Sequence, residues 1–166
     1  MKVEIVEGDV LDQPVDAIVN AWNRNIIPWW LLWPQGVSGA IKRRAGLRPF
    51  VEVGRHGPIP LGETVVTSAG RLPFKAILHV AGIDMLWRAS QRSIQGGVRS
   101  SMALAIREGF ASVAYPVIGA GSGGIGEQRA LGWMLDAFDQ IDAPTHTSID
   151  SPIAVRVVRY RPPRRA

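Results

Sequence analysis

Apolar and polar residues alternate over Lys2–Val6 with the two-residue period of a half-buried strand. Ala17–Val19 is a short apolar run between polar neighbours, a buried strand. The period then lengthens. Over Val37–Ala45, Val37, Ala40, Ile41 and Ala45 share one helical face, Lys42, Arg43 and Arg44 point outward, and Gly46 is a natural stop. Thr64–Ser68 and Ala76–Ala81 read as β-branched or apolar strands. Ser90–Glu108 carries Ile94, Val98, Met102 and Ala105 at helical spacing and ends at Gly109. Ser112–Tyr115 is a short buried strand, Glu127–Phe138 a helix with Leu131, Trp133, Met134, Leu135 and Phe138, and Ile153–Tyr160 a final strand. Residues 46–63 are assigned no element, and residues 140–151 form a long polar connection. With no internal repeat or linker, the pattern predicts one α/β domain over residues 1–160, with a mixed or parallel sheet between helices, and a basic tail over residues 161–166. In such sheets ligands sit beyond the C-terminal ends of the strands.

Composition narrows the classes. The chain has 166 residues, 46% apolar and 20% charged, an ordinary balance for one globular domain. It has no cysteine, which removes disulfides, thiolate metal sites and a redox nucleophile; no metal-ligand spacing appears and no cofactor is expected. The opening MKVEIVEGDV mixes Glu4, Glu7 and Asp9 into its apolar residues, unlike a signal peptide, and no run approaches the roughly 20 apolar residues of a membrane helix. A cytoplasmic protein without membrane contact is expected. The net charge is +5, and 16 of the 19 basic residues are arginine, which suits flat bidentate anions. Nucleic acid is therefore a possible partner, but arginine-favouring composition explains the charge equally well. The last eight residues, RYRPPRRA, read as a solvated tail.

Three predicted strand ends carry unusual chemistry. Glu7-Gly8-Asp9-Val10 sets a carboxylate beside a backbone N–H. The pair can read an adenine edge, although an aspartate there is more often a turn residue bonding its own backbone. At the second end, Ala17–Val19 runs into Asn20 and Asn23, whose amides offer donors and acceptors suited to ribose hydroxyls. For Asn20 the favoured role is to pin a turn. The third end is the loop from Pro116 to Gly126, where five glycines fall in the eight residues 119–126 just before a helix. Free amides there can converge on an anion, aided by the helix dipole, but neither a Walker A nor a dinucleotide fingerprint is present. Gln35-Gly36-Val37-Ser38-Gly39 opens the earlier helix as a second candidate anion site.

The order of these segments resembles the macrodomain family. The matching stretches are GDVLDQPVDAIVNAWN, GVSGAIKRRAG, GETVVTSAGRLPFKAILHVAG and ASVAYPVIGAGSGGIG, together covering most of residues 3–126. The resemblance implies a three-layer α/β/α sandwich with a central mixed sheet that binds ADP-ribose, free or attached to protein. Many family members hydrolyse the ADP-ribosyl bond or deacetylate O-acetyl-ADP-ribose, and others only bind. Carried over by position, Asp9 with the Val10 amide would read adenine, and Asn23 would contact the distal ribose. Gly36, Val37 and Ser38 would line a first phosphate loop. Ile118, Gly119, Ala120, Gly121, Ser122, Gly123, Gly124 and Ile125 would cradle the pyrophosphate through backbone amides. His79 matches a family position but reads as a structural buried residue. His56 and His146 suggest nothing, and Tyr160 is a candidate to stack on adenine.

The departures decide how far the resemblance reaches. Hydrolytic relatives carry a glycine run and Gly-Val-Asp-Gly before the first helix, with that aspartate assigned to activating water. Here PWWLLWPQ replaces the run, and Ser38 replaces the aspartate. Gly123 stands where an aromatic residue is usual beside the distal ribose. A serine hydroxyl has no useful basicity without a partner. Catalytic roles are nonetheless expected first at Asn23 and Ser38, with Arg24, Asn25, Gln35 and Glu127 as further polar candidates. The expected activity is hydrolysis of ADP-ribose from mono-ADP-ribosylated protein; the alternatives are a non-catalytic reader and a nucleic-acid-binding module. Residues 28–34, PWWLLWP, are too short to span a membrane, and most of their apolar surface is expected to be buried beside the ribose end of the site.

Overall fold

A computed structural model of the protein describes residues 1–31, 35–142 and 152–162. Strands β1 (Lys2–Gly8), β2 (Ala17–Trp22), β3 (Thr64–Thr67), β4 (Ala76–Ala81), β5 (Ser112–Pro116) and β6 (Ala154–Tyr160) form one sheet. Helices α1 (Gly36–Ala45), α2 (Arg48–Arg55), α3 (Gln91–Arg107) and α4 (Glu127–Asp142) accompany it, with a 3-10 turn at Val10–Asp12. The strand order is β1-β6-β5-β2-β4-β3. Every neighbouring pair is parallel except β3 with β4. The sheet is therefore mixed, as expected.

Residue alternation along each strand divides the core in two. Ala17, Val19, Leu78, Val80, Val113 and Tyr115 face Ile94, Val98 and Met102 of α3 and Met134 and Phe138 of α4. The intervening positions Ile18, Trp22, Ile77 and Ala81 face the 3-10 turn, Ile41 of α1 and Phe50 and Val53 of α2. This is the three-layer sandwich. Burying both faces explains why β2 and β4 are nearly continuous apolar runs. Ser90 and Ser93 close a reciprocal capping box at the start of α3.

Two expectations need correction. Residues 48–55 are helical although no element was predicted there. Pro49 sits in the first turn, where its missing N–H costs nothing, and Phe50 and Val53 bury the inward face. Just past β6 the chain still touches the end of β1, and residues 163–166 lie outside the described residues. Arg161 donates its backbone N–H to the Gly8 carbonyl at 3.2 Å and lies 3.3 Å from the Glu7 carboxylate. The segment PWWLLWP is not mostly buried in the part described. Trp30 and Leu31 are 65% and 62% exposed. Trp29 alone packs inward, against Phe50 and Gly54 of α2, with the Lys42 ammonium over its ring. Leu32, Trp33 and Pro34 lie outside the described residues, as does His146.

Candidate functional site

All five parallel strands end on the same side, and the sequence-predicted residues gather along that edge. Asp9 follows β1, Asn23 follows β2, the glycine loop follows β5, and α1 starts nearby, with Ser38 touching Asn20 of β2. Strand order lays them out in a line. The register sets Tyr160, 62% exposed, across from Gly8, so Asp9 and Tyr160 share the β1–β6 end. The glycine loop is in the middle at β5, and Asn23 and Ser38 are at β2.

The turn reading of Asp9 holds, and it leaves one carboxylate oxygen over. Its Oδ1 accepts the Leu11 N–H at 2.9 Å and so caps the 3-10 turn, the ordinary turn role. Its Oδ2 is not used by that bond and lies 4.0 Å from the Arg44 guanidinium, which also holds Asp12 at 2.8 Å. Val10 is buried directly behind.

The two asparagines diverge. Asn20 is fully buried, accepting from Ser38 Oγ at 2.8 Å and facing His79 Nδ1 at 3.1 Å, so it is structural, as its residue-level reading favoured. Asn23 is half-buried, and its Oδ1 accepts the Asn25 N–H at 2.6 Å. Among the described residues that leaves the two amide hydrogens of Asn23 as the groups free to meet a ligand. Asn25 is a structural clamp and not a site residue. It adopts φ 55° and donates to the carbonyls of Val53 and Gly57 at 2.8 and 2.9 Å. Arg24 is occupied at the Ile59 carbonyl. Glu127 is held by Arg159 at 2.6 Å, and that hydrogen bond keeps its carboxyl below the usual range. Asn23 also lines a cleft with Ile26, Met85 and Trp87.

The glycine loop keeps its place but not its full set of amides. Ile118 N–H points at the Met134 sulfur. The amides of Ala120, Gly124 and Ile125 donate to the carbonyls of Val117, Gly121 and Gly119. Among the described residues the amides of Gly119, Gly121, Ser122 and Gly123 meet no acceptor, which narrows the eight-residue cradle to four. Gly119 has φ 87°, and a Cβ there would fall 2.9 Å from Ala89 and Ile94. A Cβ at Gly123 would fall 2.7 Å from Ala89 and 2.8 Å from Gly119 Cα. An aromatic residue at Gly123 therefore needs a differently folded loop. Loop 82–90 supports this one, since Ala89 N–H donates to the Gly123 carbonyl at 3.0 Å.

At the other wall, α1 opens on Gly36 at φ 55° with no side-chain cap on its first amides and no acidic residue in its first turn. Ser38 is 8% exposed. Sequence reasoning missed what stands behind it. His79 is buried between the rings of Trp22 and Phe50, and Thr67 Oγ1 lies 2.9 Å from its Nε2. Burial pushes the His79 pKa down to about 3, so the ring is neutral. The only sequence signal for this arrangement was a histidine inside an otherwise apolar strand. Among the described residues no group of acidic or histidine side chains can hold a metal, and no helix is long and apolar enough to cross a membrane.

Comparison with known proteins agrees with this fold. The family model for the Macro domain matches residues 19–134. An O-acetyl-ADP-ribose deacetylase of Citrobacter rodentium is 37% identical over 128 residues, covering 72% of this chain and 68% of the relative. An uncharacterized protein of Aquifex aeolicus is 31% identical, covering 86% and 84%. Among solved structures, a variant of the Oceanobacillus iheyensis macrodomain with ADPR has a TM-score of 0.76 at 25% identity, covering 94% of this chain and 83% of that one. The sheet, the line of strand ends and the matched span lead to one conclusion: the chain belongs to the macro domain family.

Proposed function

We propose that the protein binds ADP-ribose along the C-terminal edge of its sheet and hydrolyses the bond to its distal ribose, with mono-ADP-ribosylated protein as the main substrate. The observation that carries this reading is the order of the strand ends. Across β1-β6-β5-β2, a carboxylate and an exposed tyrosine come first, then a loop with four amides that meet no acceptor among the described residues, then an asparagine presenting two donors. An adenine, a pyrophosphate and a ribose follow each other in that order along ADP-ribose. Asp9 Oδ2 would accept from the adenine amino group while the Val10 amide donates to the ring. The amides of Gly119 to Gly123 and the start of α4 would hold the pyrophosphate. Asn23 would donate to the distal ribose and orient a water there, with the substrate's own pyrophosphate as the nearest proton acceptor. The relatives named as O-acetyl-ADP-ribose deacetylases support hydrolysis of an ADP-ribose derivative in the wider sense.

One observation favours a second reading, a reader without catalysis. The first turn of α1 carries no acidic residue, and the Ser38 hydroxyl hydrogen is used on Asn20. Two measurements separate the readings. Calorimetric titration should give micromolar ADP-ribose affinity, with AMP competing poorly; RNA binding tighter than ADP-ribose would overturn both readings. Incubation with protein mono-ADP-ribosylated on acidic, arginine or serine side chains, and with O-acetyl-ADP-ribose, should release ADP-ribose. Asn23→Ala should slow release about tenfold, the share of one well-placed hydrogen bond. Intact substrates alongside undiminished binding would establish the reader.

A further inference from the structure

Four side chains from β2, β4, β3 and α1 form one hydrogen-bonded line behind the ribose end of the site. Ser38 Oγ donates to Asn20 Oδ1 at 2.8 Å. Asn20 Nδ2 is 3.1 Å from His79 Nδ1, and His79 Nε2 is 2.9 Å from Thr67 Oγ1. Thr67 Oγ1 in turn donates to the Ser68 carbonyl at 3.0 Å. The parallel register sets Asn20 directly beside His79, and both are fully buried.

Donor and acceptor rules allow the line two polarities. In the first, the Asn20 amide nitrogen donates to His79 Nδ1 and the ring proton rests on Nε2. Nε2–H then donates to Thr67, whose own hydrogen goes to Ser68. Every group is satisfied with all hydrogens pointing from Ser38 toward Ser68. An inverted line is also self-consistent. With the Asn20 amide turned over, its nitrogen donates to Ser38, His79 carries its proton on Nδ1, and Thr67 donates to Nε2. That state frees the Ser38 hydrogen but takes the Thr67 hydrogen away from the Ser68 carbonyl 3.0 Å from it, which favours the first polarity. The two states differ at one observable atom, the protonated nitrogen of His79.

We propose that Ser38 faces the ligand only as a hydrogen-bond acceptor, held in that polarity by Asn20, His79 and Thr67 as positioning residues. With its hydrogen turned inward, Oγ has only lone pairs left. A phosphate oxygen is itself an acceptor and finds nothing there, whereas a ribose hydroxyl or a water can donate. Ser38 therefore selects for the distal ribose and leaves the pyrophosphate to the glycine loop. It neither attacks nor gives up a proton. The ligand half of the proposal rests on the ADP-ribose reading above; the relay itself does not.

Nitrogen-15 NMR of the histidines in the full chain tests the relay without any ligand. The expected result is His79 protonated on Nε2 from pH 5 to 8; protonation on Nδ1 overturns the proposal. Titrations with ADP-ribose and with ADP, which lacks the distal ribose, test the consequence. Ser38→Ala should weaken ADP-ribose about tenfold and leave ADP unchanged, the effect of one lost hydrogen bond. Thr67→Val leaves Nε2–H without a partner, which favours the inverted line because an orphaned N–H is the rarer and costlier defect. It should move the His79 proton to Nδ1 and weaken ADP-ribose alone. In the double variant the second substitution should add nothing. Equal losses for ADP and ADP-ribose with Ser38→Ala, or additive losses in the double variant, would overturn the proposal. If Thr67→Val does not fold, the wild-type NMR and the Ser38→Ala titrations still decide it. A wild type that binds neither nucleotide overturns the ADP-ribose reading, while the NMR result still decides the relay.

Discussion

The two walls of the site are built from different materials. At β5 the wall is backbone: the open amides of Gly119, Gly121, Ser122 and Gly123, in a loop with no room for a Cβ at Gly119 or Gly123. At β2 and α1 the wall is side chain: Ser38 on Asn20 on His79, with Trp22, Phe50 and Trp29 packed behind. A backbone wall fails when bulk or charge is added. A side-chain wall fails when a buried partner is removed or charged. That difference gives each wall its own way of breaking.

The largest expected effect is acid destabilisation through the side-chain wall. Burial holds the His79 pKa down at about 3, against 6.5 for a free histidine. The unfolded chain therefore takes up a proton that the folded chain refuses, and the stability contributed by neutral His79 is complete above about pH 6.5. It is lost as pH falls from there toward about 3. The slope should approach about 1.4 kcal/mol per pH unit. Denaturant midpoints between pH 7.5 and 4.5 measure it, above the range where most carboxylates titrate. His79→Gln should be less stable at neutral pH but show a flatter profile; an unchanged slope would remove His79 as its source.

The backbone wall is tested by Gly121→Glu. A Cβ at Gly121 meets nothing within 4 Å, so the fold should survive with an unchanged melting temperature. A carboxylate among the open amides should nevertheless weaken ADP-ribose by about a hundredfold, or about 2.7 kcal/mol. Undiminished affinity would mean that the loop does not hold the pyrophosphate.

The smallest effects come from the tryptophan segment and sharpen the boundary of the side-chain wall. Trp29→Ala removes a half-buried ring from Phe50 and Lys42 and should cost about 1–2 kcal/mol, below the cost of a fully buried aromatic. Trp30→Ser, at a mostly exposed ring, should stay within about 0.5 kcal/mol in the same denaturant titration. Equal losses would place Trp30 in a packed contact that the described residues do not contain.

The sequence was most legible where local chemistry decides. The periodicity placed nine of the elements within a few residues, because strands buried on both faces and amphipathic helices announce themselves by pattern. It failed at Arg48–Arg55, where Pro49 and Gly54 read as loop residues until Phe50 and Val53 find a core to bury in. In the glycine loop the residue types alone pointed to an anion-binding backbone. They could not say that the amides of Ala120, Gly124 and Ile125 are spent inside the loop, since that depends on how it folds. Asn20 and Asn23 make the sharpest case. They are the same residue three positions apart, one closed into the core and the other at the edge, and the strand period alone leaves both open.

The sequence by itself determined the α/β class, the strand ends that carry chemistry and the absence of thiol chemistry, because these follow from residue type and spacing. Only the tertiary structure decided which hydrogen bonds remain free. Among the described residues Asp9 keeps one oxygen clear of hydrogen bonds after capping its turn, Asn23 keeps its two donors, and Ser38 turns its hydrogen inward. It also placed Trp29 inside and Trp30 outside in a segment whose composition suggested a single buried wall. The physical reason is the same throughout. A side chain's chemistry depends on which of its donors, acceptors and faces are already occupied, and the partners that occupy them come from distant parts of the chain.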